Sequence, residues 1–401
     1  METIELKSKP KKTRRSKKKP QLTFYDKTKQ LAELVKACHN GNVELVRQIL
    51  NLNLTLDINQ QITSMEIQGE KLLHTASCSG DIEIVRELLN CDIDIDHRCD
   101  KETALHLAAQ IGHSKIVAEL LSHGANVNLY NGCNSFRKCG DFCESALLMA
   151  SSRGHTEVVK ELLKSSDIRI DARNHYSNHT SLHQASFIDH YDIVALLLAH
   201  GANGNLPFEN DDENGPDITL LHYGSRFGKS ELVKELLNHK VSIDVLNKER
   251  ETALHTASKN GNAEIVAQLL ADGANVRLYA KHYNKKNEKA LHIASRYGHI
   301  EVVKEILKYD KDIDDKNKCG ETALHIASEE GYVLIVKELL DHGAKIDLHV
   351  GDEPEGCNGA NCEDPCYPEG DAMYLATNKN NFSSCGDAAE IRCTFRQSLF
   401  T

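Results

Sequence analysis

Between residues 101 and 130 the apolar and polar positions fit two short helices joined by a tight turn. Thr103 precedes a stretch containing Ala104, Leu107, Ala108 and Ala109. A threonine hydroxyl at a helix start accepts a free backbone N–H, and small alanines let neighbouring helices approach closely. Gly112-His113 interrupts the pattern. Ile116, Val117, Leu120 and Leu121 then share one face at helical spacing. Gly124 suits the left-handed residue that closes a helix, and Ala125-Asn126-Val127-Asn128 leads into an extended loop. Along the second helices acids stand three residues ahead of bases (Glu157 and Lys160, Glu301 and Lys304, Glu305 and Lys308), as on a solvated face.

The same plan recurs along the chain. Thr-Ala-Leu-His stands at 103–106, 252–255 and 322–325, with near copies ending at His74, Leu148, His183, His222 and His292. The steps between these marks run from 32 to 42 residues, a period near 33 with insertions. Nine units fit between about residues 31 and 352. The first, Leu31–Asn59, lacks the Thr and His and reads as an N-terminal cap. Extra residues fall at 131–143, 204–216 and 281–286, where loops belong. A fourth interruption, Glu353–Gly370, carries Pro354, Pro365 and Pro368. The domain reading is a disordered basic tail over 1–30, a repeat domain over 31–352, and a cysteine-containing segment over 353–401. A degenerate tenth unit is a candidate at Asp371–Asn381. One unit cannot bury its own apolar stripe, so stacking into a solenoid is required.

Composition narrows the classes. The chain has 401 residues, 40% of them hydrophobic and 27% charged. Its longest unbroken apolar run, Ile193–Ala199, is far short of the roughly 20 residues a membrane-spanning helix needs. The charged N-terminus has no secretory apolar core. The thirteen cysteines therefore read as thiols or metal ligands before disulfides. Residues 1–20 carry a net charge of +7 and the remainder −18. An acidic body argues against a broad nucleic-acid surface.

The units resemble the ankyrin repeat. Thr-Ala-Leu-His-Leu-Ala-Ala at 103–109, Gly112-His113, Ile116-Val117, Leu120-Leu121 and Gly124–Asn128 carry the likeness, with Ala104 where the family usually has Pro. The resemblance implies an all-α ankyrin-repeat solenoid of nine to ten helix-turn-helix units with hairpin loops. It implies a non-enzymatic scaffold or adaptor whose concave face and loops bind protein, without a cofactor. The alternatives are a regulatory subunit of an enzyme such as a protein phosphatase, or the ankyrin portion of a larger signalling protein or channel. The positions before each turn are free of packing duty. They nominate Gln110, Ile111, Arg153, Arg226, Phe227, Lys259, Asn260, Arg296, Tyr297, Glu329 and Glu330 as contacts. Arg226, Phe227, Arg296 and Tyr297 lead, because Arg and aromatic residues are enriched at binding hot spots.

Other candidates are weaker. No phosphate loop, nucleophile elbow or zinc-protease motif occurs. The recurrent histidines read as structural, bonding the backbone of adjacent loops. Cys357, Cys362 and Cys366 have loose zinc-like spacing, echoed by Cys133, Cys139 and Cys143, but each loop supplies only three of the four ligands zinc needs. The basic run Lys7–Lys19, including Lys11, Lys12, Arg14, Arg15, Lys17, Lys18 and Lys19, looks like a nuclear localisation signal read by importin. It sets the expected location as nuclear and/or cytoplasmic. Ser16 follows Arg14-Arg15 as a candidate for a basophilic kinase. Lys19-Pro20-Gln21-Leu22-Thr23-Phe24 is similar to the motif by which regulatory subunits dock on protein phosphatase 1. Asn128 is similar to the loop asparagine that is hydroxylated in many ankyrin proteins.

Overall fold

Each Thr-x-x-His segment opens a helix, and the reason is local. Thr103 has extended backbone, so its hydroxyl accepts the His106 N–H at 3.4 Å and meets His106 Nδ1 at 2.8 Å. The ring nitrogen in turn accepts the Thr103 N–H at 3.3 Å. Two helix-start donors are thus satisfied by one Thr–His pair. The opposite ring nitrogen, Nε2, donates to the Leu129 carbonyl at 2.9 Å and ties the helix to the outgoing loop. The same bonds recur at Thr180–His183, Thr252–His255 and Thr322–His325.

The computed structural model describes residues 24–52, 72–91, 93–132, 143–208, 218–280, 287–350 and 370–371. Among them are eighteen helices in nine pairs. The first four pairs are α1 (Phe24–His39) with α2 (Val43–Leu52), α3 (Leu72–Ser79) with α4 (Ile82–Leu89), α5 (Ala104–Ile111) with α6 (Ser114–Ser122), and α7 (Ala146–Arg153) with α8 (Thr156–Leu163). Then come α9 (Ser181–Phe187) with α10 (Tyr191–Ala199), α11 (Leu220–Phe227) with α12 (Ser230–Asn238), and α13 (Ala253–Asn260) with α14 (Ala263–Ala271). The last pairs are α15 (Ala290–Arg296) with α16 (Ile300–Leu307) and α17 (Ala323–Glu330) with α18 (Val333–Asp341). A short antiparallel pair, β1 (His349–Val350) with β2 (Gly370–Asp371), follows.

First helices pack on first helices and second on second, with the first helices the more closely apposed. Their buried faces are built of small residues such as Ala104, Ala108, Ala253, Ala257, Ala290 and Ala294. The small buried residues are what lets the first helices pack closely on one another. Of the stripe predicted on the second helix of the third repeat, Ile116, Val117 and Leu120 are at most 1% exposed, and Leu121 at its edge is half-buried.

A latch joins successive repeats at the turns. In the third, fourth, sixth, seventh and eighth repeats the residue after the turn reaches back to the previous first helix. His155 Nε2 donates to the Gln110 carbonyl at 2.9 Å, Lys229 Nζ to that of Phe187 at 3.0 Å, and Asn262 Nδ2 to that of Ser225 at 2.7 Å. These carbonyls end a helix and need such donors.

Two boundaries differ from the sequence reading. Helix α1 begins at Phe24, seven residues before the expected boundary at 31, because a nucleated helix extends through Lys27, Lys29 and Gln30 without needing the apolar stripe that marks the later units. Residues 204–208 belong to the regular loop and not to an insertion: Leu206 accepts the bond from His183, and Phe208 pairs with Ile218. The chain between that pair, 209–217, lies outside the described residues, as do 133–142, 281–286, 351–369, and all but Asp371 of the candidate tenth unit.

Candidate protein-binding surface

The C-terminal ends of the first helices carry the residues that precede each turn. Phe227 is 58% exposed, Ile188 45%, Ile111 44% and Tyr297 40%. All four hold the same place, the last position before the turn. Arg153 holds it in the fourth repeat and is exposed. Large exposed apolar groups in register on one face are what a protein-binding surface presents.

Phe227 ends a run of rings. Phe187 lies 5.0 Å from Phe208 and 4.8 Å from Tyr223, and Tyr223 lies 4.8 Å from Phe227, centroid to centroid. The tilted and edge-on arrangements are the favourable ones for aromatic quadrupoles. Two cations lie over the run: Arg226 at 5.6 Å from the Phe227 ring and Lys229 at 5.1 Å from Tyr223. Lys229 is also held by Asp189 at 2.5 Å, so its position is fixed. Sequence reading nominated Arg226 and Phe227 and missed Phe187, Phe208 and Tyr223. The signal was present in the three aromatic residues at slots that hold Lys259, Ala280 and Thr256 in the seventh repeat.

Arg296 corrects an expectation. Nominated as a free contact, it has a side chain only 16% exposed. Its guanidinium meets Glu288 at 2.6 Å, Glu321 at 3.4 Å and Glu330 at 3.7 Å. Glu288 and Glu321 are 0% and 3% exposed, so the arginine neutralises buried acids. Glu329 is buried as well, and a partner cannot reach it as expected. Lys259 is half-buried, 3.9 Å from Glu251, whose carboxyl is pushed up by burial. Gln110 is half-buried, and its carbonyl accepts the His155 latch. Arg226, Phe227 and Tyr297 keep exposed side chains.

The repeat histidines form no reactive cluster. Burial holds His106 and His292 down to about 4 and His183 to about 3. Each is neutral, with one ring nitrogen donating and the other accepting. Among the described residues no group of three or more His, Cys, Asp or Glu is placed to hold a metal ion. Cys143 is buried, while Cys133, Cys139, Cys357, Cys362 and Cys366 lie outside the described residues. The basic run Lys7–Lys19 and residues 19–23 of the docking-like motif also lie outside them. Asn128 shapes its loop: its Oδ1 accepts the Arg169 N–H at 2.8 Å and its Nδ2 donates to the Asp167 carbonyl at 2.8 Å. No described helix is long and apolar enough to cross a membrane.

Alpha-latroinsectotoxin-Lt1a of Latrodectus tredecimguttatus is 32% identical over 108 residues, 27% of this chain and 7% of the toxin. The ankyrin repeat protein FPV031 of Fowlpox virus (strain NVSL) is 27% identical over 180 residues, 44% of this chain and 49% of the viral protein. The chain thus spans at most about half the length of these curated relatives. The crystal structure of the ankyrin repeat domain of Bcl-3 superposes with a TM-score of 0.49 at 25% identity, over 60% of this chain and 99% of that one. The family model "Ankyrin repeats (3 copies)" matches residues 34–131, 129–208, 204–280 and 277–350. With nine helix pairs in register and the family model matched almost throughout them, the chain belongs to the ankyrin repeat family.

Proposed function

We propose that this chain is a non-enzymatic scaffold or adaptor that holds a protein partner against the C-terminal ends of its first helices. The observation that carries this reading is Phe227, 58% exposed at the end of a packed run of rings with Arg226 beside it. The ring is already held in place by Tyr223, so docking there orders little that was loose. Ile111, Ile188 and Tyr297 extend the same row along the stack.

Affinity purification of the full chain, followed by reconstitution with the purified partner, tests the reading. The F227A and R226A variants should lose the partner, since truncating an anchor of this kind costs about 2 kcal/mol or more, roughly a 30-fold loss of affinity. Undiminished binding by both variants would contradict it.

Within this reading the basic run Lys7–Lys19 serves as an importin-read signal and gives the scaffold a nuclear as well as a cytoplasmic location. Deleting it should move the protein out of the nucleus, and an unchanged distribution would remove that part of the proposal. A second reading makes the partner an enzyme that the repeats target, with Leu22 and Phe24 as a phosphatase-docking pair directly ahead of or at the start of α1. Co-purification of a phosphatase that is released by F24A would favour it.

A further inference from the structure

In the fifth and eighth repeats a slot between the first helix and the loop that leads to the next repeat is filled by a large side chain, whereas Arg226 at the equivalent position of the sixth stays exposed. The slot's occupant comes from the second position before the turn. In the eighth repeat this is Arg296, whose guanidinium bonds Glu288 and, in the next repeat, Glu321. In the fifth it is Phe187, whose ring packs 5.0 Å from Phe208 of the following loop. In the second repeat the position is Cys78, a side chain too short to fill the slot. A cavity of about 490 Å³ lies there, lined by Cys78, Cys99, Asp100, Glu102, His39 and Leu107, among others.

The repeat register says what this cavity is built to take. Glu102 precedes the capping Thr103 as Glu321 precedes Thr322. Cys99 pairs with Glu102 across its hairpin as Phe208 pairs with Ile218. The cavity therefore keeps the second of the two acids that the Arg296 guanidinium bonds, the one at 3.4 Å, and lacks the large residue that fills the slot in the fifth. Glu102 is positioned: its Oε1 accepts from Asn131 Nδ2 at 3.3 Å, and its carbonyl accepts from His74 Nε2 at 3.0 Å. Asp100 adds a second carboxylate at the mouth. It is held there at the hairpin tip with φ +48°. Leu107 and Thr75 supply wall for an aliphatic stem.

We propose that this cavity receives the arginine side chain of a protein partner, its guanidinium held by Glu102 and Asp100. Two carboxylates suit a planar fork of donors better than a point charge. The chain's net charge of −11 favours a basic partner segment. The inference rests on the scaffold reading and names the chemistry of one contact.

The exposed Cys78 thiol on the cavity wall is a reporter. Its alkylation by iodoacetamide in the full chain is followed by mass spectrometry, with Cys319 in the ninth repeat as reference. The probe is N-acetyl-arginine methylamide, and the norleucine analogue is the control. At half-occupancy the arginine probe should slow Cys78 labelling about twofold, and the control should leave it unchanged. The D100N/E102Q variant should lose the protection. Equal slowing by the norleucine analogue, or protection that survives in D100N/E102Q, overturns the proposal. Faster Cys78 labelling in a full-length chain with Lys17, Lys18 and Lys19 changed to Gln would assign the slot to this chain's own basic run and also overturn it. A second variant, C78R, places a guanidinium in the slot from within. It should raise the melting midpoint, as Arg296 satisfies Glu321, and a lowered midpoint would count against the slot's cationic preference. If the probe fails while F227A still releases the captured partner, this inference falls and the scaffold reading stands.

Discussion

The Arg296 guanidinium lies 2.6 Å from a carboxylate oxygen of Glu288, a residue with no solvent exposure at all. The pair links the helix α15 to its own start, and Glu321 extends it to the next repeat. Removing the arginine strips these buried acids of their counter-charge. R296A should destabilise the chain by about 3–5 kcal/mol, while R226A, at an exposed site, should change stability by less than about 0.5 kcal/mol. Urea unfolding of both variants checks this. Equal midpoints would show that the pair adds nothing.

The turn glycines separate two costs. Gly112 has φ +98°, and a Cβ there would meet the His155 ring at 2.8 Å. Gly124 has φ +88° with open space around it. G124A should cost about 1–2 kcal/mol from the left-handed backbone alone. G112A should cost more, because the ring that latches the fourth repeat to the third must also move. Denaturation of the two variants side by side reads the difference, and an equal loss would mean that the latch is loose.

Stability should fall with acid in a definite window. His106 and His292 are held down to about 4 and His183 to about 3, chiefly by burial, and His222 is lowered for the same reason. Unfolded histidine titrates near 6.5, so below that pH the unfolded chain binds more protons than the folded one. The stabilisation is complete above about pH 7 and is lost as pH falls from 6.5 towards 4. His106, His183 and His292 should each contribute about 1–2 kcal/mol of loss by pH 5, and His222 adds to the loss in the same direction. Glu144 and Glu251, pushed up by burial, oppose the trend as they protonate. Urea midpoints at pH 7.5, 6.0 and 5.0 should decline steadily, and a flat profile would contradict neutral, buried imidazoles.

Lys289 occupies the capping slot that Thr103, Thr252 and Thr322 hold elsewhere. It has no hydroxyl to accept the His292 N–H. Its ammonium is buried beside Asp315, over the Tyr279 ring at 5.4 Å, and burial lowers its proton affinity. K289T restores the cap, worth about 1 kcal/mol, and frees a half-exposed Asp315 to meet water. The melting midpoint should rise. A fall would show that the buried ion pair outweighs the cap.

Much of this fold was legible because its determinants are local. Thr103 and His106 stand three residues apart on one helix turn, so cap and tie could be read from the string. The stripe Ile116, Val117 and Leu120 shows in spacing alone. Arg296 was not legible: Glu288 and Glu321 lie eight and twenty-five residues away and converge on it only when two repeats stack. The aromatic run failed in the same way, since Phe208 reaches Phe187 from a loop. The start of α1 was hidden because residues 24–30 carry no apolar stripe. Exposed anchors such as Phe227 were found since nothing in the repeat pattern accounts for a large ring at that slot.

Hydrogen exchange of the full chain, with and without its captured partner, tests the central claim most directly. Protection should appear at Gln110–Gly112, Arg226–Gly228 and Tyr297–Gly298, at the C-terminal ends of the first helices. Protection confined to the outward faces of the second helices, or to residues outside the repeats, would contradict a scaffold that binds through its first helices.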